Sequence, residues 1–357
     1  MRKNVRFGRV LAMGLAVVMT LVLCTACGGS KAGDNGEVYI YCYGDYFDQS
    51  IIDQFEEETG ITVIQDTYDT AEELYTVLEN DASAYDCICT SDYMLEKMID
   101  NDMLAELDFE NIEECGNIDD IYWDKSEDFD PGNKYTVPYQ AGVAGILYNK
   151  KMIKGKIDSW DILWDKKYAD QIVMPDSVRD AFQIALNKLG YSLNTTNEAE
   201  IKKAANELMK QKPLVYKYAN DSARDCLADG SAAIGVVWNG EYSYTADLNP
   251  DVEFVVPKEG SEFFIDSWAV LKDAANKTNA EKWINFLCRK DIAAINFEYL
   301  HYTMPNKAAM ELISDEDKAN EALFPTEETI AKCNSLKSLK DEVMDIYSKY
   351  WKNVKAE

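Results

Sequence analysis
An aromatic ring stands beside an acid at several points along this chain. The instances are Tyr43-Gly44-Asp45-Tyr46, Ser91-Asp92-Tyr93, Trp238-Asn239-Gly240-Glu241 and Phe263-Phe264-Ile265-Asp266, with Tyr302 next to the single histidine, His301. The face of an aromatic ring holds methylene groups and attracts ammonium groups. A carboxylate supplies charge-assisted hydrogen bonds. Together they suit a flexible organic cation, provided that the fold brings them to one place. A chain with 64 Asp+Glu and 22 Tyr also makes such pairs by chance, so their position in the fold must decide.

Other chemistry is missing from the sequence. One histidine leaves no material for a His-based triad, a multi-His zinc site or a two-His iron site. There is no G-x-x-x-x-G-K-[ST] loop, no G-x-G-x-x-G after a strand and no G-x-S-x-G elbow. The 36 Lys+Arg against 64 Asp+Glu give a net charge of -28, the opposite of what nucleic acid or an anionic lipid surface attracts. The seven cysteines beyond residue 27 lack Cys-x-x-Cys spacing and read as small buried hydrophobes. No cofactor and no metal are expected.

The elements that would position the rings and acids alternate. Val38 to Tyr43 is β-rich, and Ile51, Ile52 and Phe55 lie on one helical face that Gly60 should end. Ile61 to Ile64 is the next strand. Thr70-x-x-Glu73 is a capping box before Leu74, Val77 and Leu78. Tyr85 to Thr90 is a third strand, with Ser91 capping a helix behind it. Strand and helix alternating in this way predict a parallel α/β sheet. Residues 103 to 135 are acidic and irregular; Gly142 to Asn149 reads as a strand crossing between lobes. A second α/β run follows, with Phe182, Ala185, Leu186 and Leu189 on one helical face and strands at Ile234 to Trp238 and Val252 to Val256.

Residues 1 to 9 carry Arg2, Lys3, Arg6 and Arg9 and no acid, and Leu11 to Leu23 is an uncharged apolar run too short to span a bilayer. Leu23-Cys24-Thr25-Ala26-Cys27-Gly28-Gly29 is similar to a bacterial lipoprotein cleavage site. That similarity implies a signal peptide over 1–26, a lipid on Cys27 and a flexible linker over 27–36. Secretion with soluble release is the other reading.

Over about residues 37 to 350 the chain resembles the spermidine/putrescine-binding proteins of bacterial ABC importers. The matching stretches include Phe55-Glu56-Glu57-Glu58-Thr59-Gly60-Ile61, Ala84-Tyr85-Asp86, Asp128-Phe129-Asp130-Pro131, Ser159-Trp160, Leu186-Asn187-Lys188-Leu189-Gly190-Tyr191-Ser192, Val237-Trp238-Asn239-Gly240 and Met304-Pro305-Asn306. The resemblance implies a two-lobed α/β fold of the type II periplasmic-binding-protein kind, with two crossing hinge segments. Lobe 1 would be 37–140 with 265–309, and lobe 2 would be 141–264 with 310–357. It also implies a pocket carried by Tyr43, Asp45, Tyr46, Ser91, Tyr93, Asp180, Trp238, Phe264, Asp266 and Tyr302.

Two positions depart from the family pattern. Ser177 stands where the family has a second acid, and Lys337 aligns with a pocket glutamine. One carboxylate fewer and one cation more would favour a diamine over a triamine, hence putrescine over spermidine. Asp176 is placed to replace the lost acid. Ser177 and Asp180 also form a capping box, and Asp45 reads equally as a turn acid. The expected function is a non-enzymatic, lipid-anchored receptor on the outer face of the cytoplasmic membrane. It would pass a polyamine to an ABC permease and its ATPase subunits, touch the membrane only through its lipid and bind no nucleic acid. A same-fold receptor for a sugar, an amino acid or a thiamine-like cation is the alternative. An exported carboxylate-pair hydrolase is a third class.

Overall fold
The computed structural model describes residues 35–220 and 222–356. The proposed signal peptide and Cys27 lie outside them. Strand β1 (Glu37–Tyr43), helix α1 (Gln49–Thr59), β2 (Thr62–Tyr68), α2 (Ala71–Asn80), β3 (Cys87–Ser91) and α3 (Asp92–Asp100) follow in order. Helix α1 buries Ile51, Ile52 and Phe55 and ends on Gly60, whose φ of 69° is left-handed backbone that glycine adopts without strain. Thr70 caps α2 by accepting from the Glu73 amide at 3.2 Å; the Glu73 side chain returns to the Asp69 amide, one residue before the cap.

Helix α4 (Asp120–Ser126) leads to the long strand β4 (Thr136–Asn149). Buried Asp130 steers that entry by accepting from the amides of Lys134, Tyr135 and Thr136 and from the Thr136 hydroxyl. Then come β5 (Ile172–Met174), α5 (Val178–Leu189), α6 (Glu198–Gln211), β6 (Val215–Tyr218), α7 (Ala223–Ala228), β7 (Ile234–Trp238), α8 (Glu241–Leu248), β8 (Val252–Val255) and β9 (Phe263–Val270). Helices α9 (Lys277–Leu287) and α10 (Lys290–Leu300) pack behind the first strands. A helix at Asp341–Ala356 buries Tyr347, whose hydroxyl donates to the Thr195 carbonyl at 3.0 Å.

The strands run β2-β1-β3-β9-β4-β7-β5-β6, with β8 on β4. The expected parallel pairing holds for β1 with β2 and β3, and for β5 with β6 and β7. Between those groups the sheet is antiparallel, at β3–β9, β9–β4 and β4–β7. The alternation read from the sequence covers β1 to β3, which are parallel as expected; the antiparallel joins come from later strands. Strand β9 arrives beside β3 from the far half of the chain, with no crossover helix to return it in the same direction. Strand β4 pairs with β9 through Val143, then with β7 from Ala144 and with β8 from Ile146. It is buried along its whole length, which explains its near-continuous apolar sequence. Among the described residues no helix is long and apolar enough to cross a membrane.

Candidate ligand-binding site
In open α/β sheets ligands sit beyond the carboxyl ends of the strands. Here that rule gathers five strand ends. The end of β1 supplies Tyr43, Asp45 and Tyr46; β2 leads to Glu72 at the start of α2; β3 leads to Ser91 and Tyr93. The end of β5 leads to Ser177 and Asp180, and β7 ends on Trp238 before Glu241. Strand β9 contributes Phe264 and Asp266 from its first half, with Glu262 just before it. These residues line one cavity of about 840 Å³, open mouth included.

Two serines at helix N-caps do not cap their helices. Ser91 precedes α3 and Ser177 precedes α5, yet neither side chain accepts from its helix. The Ser91 hydroxyl pairs with the Tyr43 hydroxyl at 2.8 Å, and Ser177 lies in the lining with Asp180, where it works to lower that carboxyl's pKa against its burial. A capping serine would be fixed toward the helix; Ser91 is turned to a cavity residue instead. Gly240 has a related role. A Cβ there would stand 2.3 Å from the Tyr302 ring, so only glycine lets Tyr302 lie against this backbone. Asn239 ties the same corner together by accepting from the Val143 amide and donating to the Ala322 carbonyl.

The cavity has a buried floor and a more exposed rim. On the floor, Asp266 is 5 % exposed and Glu262 3 %. Asp266 accepts from the Tyr46 hydroxyl with one oxygen, while its Oδ1 has no donor. Glu262 Oε2 also lacks one. Burial, helped by the charge of Asp180, pushes Asp266 up to about 6 against the pull of the Tyr46 and Ser91 hydroxyls. Burial likewise raises Asp180 to about 6. Burial, then the charges of Asp180 and Asp92, hold Glu262 well above the usual carboxylate range. Asp92, buried and outside the lining, is raised by burial to about 8. At the rim, Arg224 bridges Asp45 at 2.8 Å and Glu241 at 3.1 Å. Burial works to raise Asp45, but the Tyr299 hydroxyl and Arg224 hold it below its ordinary value. The Phe264 and Tyr302 rings meet edge-on at 6.2 Å and form part of the wall.

A family model for bacterial extracellular solute-binding proteins matches residues 50–326. The chain belongs to that family. The spermidine/putrescine-binding periplasmic protein of Salmonella typhimurium is 36 % identical over 336 residues, 94 % of this chain and 96 % of that protein. A solved structure from Listeria monocytogenes, provisionally assigned as a spermidine/putrescine ABC transporter, is 35 % identical with a TM-score of 0.86, covering 89 % of this chain and 98 % of that one. The spermidine/putrescine ABC transporter substrate-binding protein PotD of Streptococcus pneumoniae, solved with calcium and HEPES, is 34 % identical with a TM-score of 0.77, covering 90 % of this chain and 99 % of its own. The fold is therefore the type II periplasmic-binding-protein fold. As a member of this family the chain is a binding protein and not an enzyme.

Of the pocket residues expected from sequence, all but Lys337 line the cavity of this solute-binding protein. The Lys337 expectation is corrected. Its carbonyl accepts from buried Arg179 at 3.0 Å and its amide donates to Asn194 at 2.8 Å, which leaves the side chain exposed. Asp176 is exposed as well and pairs with Lys355, so it does not fill the place of Ser177. Sequence reasoning missed Glu72, Glu262 and Arg224 among the lining residues, and noted Glu241 only as the acid of the Trp238 segment without placing it in the pocket. For two of them a signal existed. Glu72 and Glu241 lie in the first turns of α2 and α8, as Asp180 does in α5. An acid in the first turn of a helix that follows a strand end is favoured by the helix dipole and sits at the sheet's binding edge. Arg224 and Glu262 carry no such local mark.

Proposed function
We propose that this solute-binding protein is the receptor of an ABC importer for polyamines, favours putrescine over spermidine, and is held by a lipid on Cys27 at the outer face of the cytoplasmic membrane. One observation carries the ligand reading. The floor of an aromatic-walled cavity holds buried carboxylates with acceptor oxygens that have no donor, Asp266 Oδ1 and Glu262 Oε2. Such atoms are costly to bury unless a partner arrives. A primary ammonium brings three donors and the opposite charge. The methylenes between two ammoniums lie against the rings, each adding about 0.8 kcal/mol on burial. A sugar or an anion asks for free cations and amides, whereas the one arginine in the lining is already held by two acids. That same pairing favours the diamine, because two of the lining acids are neutralised before any ligand enters. The relatives named for spermidine and putrescine together support the polyamine reading, though not the choice between the two amines.

The mechanism follows from the sheet. A lobe of 37–140 with 265–309 and a lobe of 141–264 with 310–357 close on the amine about β4 and β9. The permease and its ATPase subunits then recognise the closed form. The change of partners along β4 after Val143 supports a hinge near that point. Isothermal titration with putrescine, cadaverine, spermidine and spermine tests the reading, with putrescine expected to bind tightest. Heat from a sugar or an amino acid and none from any amine overturns it.

A further inference from the structure
We propose that Arg224 sets the length of the ligand. Its guanidinium stands at the rim end of the cavity as a built-in cation, so only the buried end accepts ammonium groups. The inference rests on the polyamine reading and deepens it by naming the residue that separates short amines from long ones.

Arg224 lies on α7, with its side chain 21 % exposed. Nη2 donates to Asp45 Oδ2 at 2.8 Å and Nη1 to Glu241 Oε2 at 3.1 Å. The guanidinium carbon sits 4.3 Å above the Tyr244 ring. The other oxygens of the two acids are also taken. Asp45 Oδ1 accepts from the Tyr299 hydroxyl, and Glu241 Oε1 accepts from the Tyr302 hydroxyl at 2.8 Å. Each carboxylate oxygen of the rim pair thus has a donor from the protein. The floor is the reverse, since Asp266 Oδ1 and Glu262 Oε2 have none.

The asymmetry has a consequence for chain length. Both ammoniums of a short diamine can be placed among the acids of the floor and its flank, Asp266, Glu262, Asp180 and Glu72. A third ammonium, or the far end of a long diamine, reaches the rim. There it meets a like charge that cannot be relieved, because arginine keeps its proton throughout the accessible pH range. It must displace a guanidinium held by two acids and a ring, or remain without a partner.

Two titrations test this. In the wild-type protein, putrescine, cadaverine, hexanediamine and octanediamine should bind with affinity falling sharply at the longest chain, and spermidine should bind about tenfold or more weakly than putrescine. The second series uses Arg224→Met, which keeps an unbranched apolar side chain at this position and removes the charge. There the ratio of spermidine to putrescine Kd should fall about tenfold or more, since Asp45 and Glu241 are released to the third ammonium. A folded Arg224→Met protein with the wild-type ratio overturns the role of Arg224 and leaves the polyamine reading standing. If that variant does not fold, the wild-type series decides by itself: octanediamine or spermidine binding as tightly as putrescine overturns the inference. A wild-type protein that binds no amine removes the polyamine reading, and the inference with it.

Discussion
Replacing Asp266 by asparagine separates what this carboxylate does for binding from what its burial does to the fold. The two side chains have the same shape, and an amide oxygen can still accept from the Tyr46 hydroxyl. What is lost is the charge that faces the ligand. Breaking a buried ion pair by removing one partner costs about 3–5 kcal/mol, so putrescine affinity should fall on the order of a hundredfold to a few thousandfold. The ligand-free protein should respond in the opposite direction. Burial raises the Asp266 pKa from 3.8 to about 6. The native state therefore holds this proton more tightly than the unfolded chain does, and stability is lost as pH rises from about 4 through 6. Above that window the buried charge costs about 3 kcal/mol. Asp266→Asn removes that cost, less whatever the amide loses by its own unmet donors. Without ligand, the variant should be more stable than wild type at pH 7.5, with the gain fading by pH 4. Titration calorimetry reads the first effect and denaturant unfolding at the two pH values reads the second. A variant that binds putrescine within a few-fold of wild type refutes the placement of the ammonium. An unchanged free-protein stability at pH 7.5 refutes the argument from burial.

Polyamine affinity should weaken on acidification, because Asp266 and Asp180, both raised to about 6, must lose their protons before they can pair with an ammonium. At pH 5 the loss should be about tenfold for each group that pairs; an affinity constant from pH 7.5 to 5 speaks against both. Trp238→Ala removes one ring wall and should cost about tenfold to a hundredfold in putrescine affinity through lost cation–π attraction and apolar contact. An unchanged affinity in the folded variant takes Trp238 out of the site. Cys27→Ala should move the protein from the membrane pellet to the soluble fraction, and retention in the pellet would sink the lipid-anchor reading.

The sequence by itself determined the local elements and most of the pocket's identities. The period of Ile51, Ile52 and Phe55, the glycine after Thr59 and the Thr70 cap fix helices through contacts within a few residues, and these helices form as read except that Val77 is exposed. Pocket residues such as Trp238 and Asp266 were legible because they fall at strand ends inside stretches that resemble a known family. Tertiary structure alone decided the charge balance. Arg224 and Asp45 are far apart in the chain, and nothing local to either announces that α7 and the end of β1 meet at one rim. Glu262 is not singled out from the sequence, and its burial beside Asp180, Asp92 and Asp266 is a product of the fold. Lys337 shows the converse: its alignment pointed into the pocket, but its backbone bonds to Arg179 and Asn194 face the side chain outward. The antiparallel pairing of β9 with β3 and β4 has the same origin. Periodicity records which face of an element is buried; which distant element covers that face, and which charges meet there, depends on contacts that no short window of sequence contains.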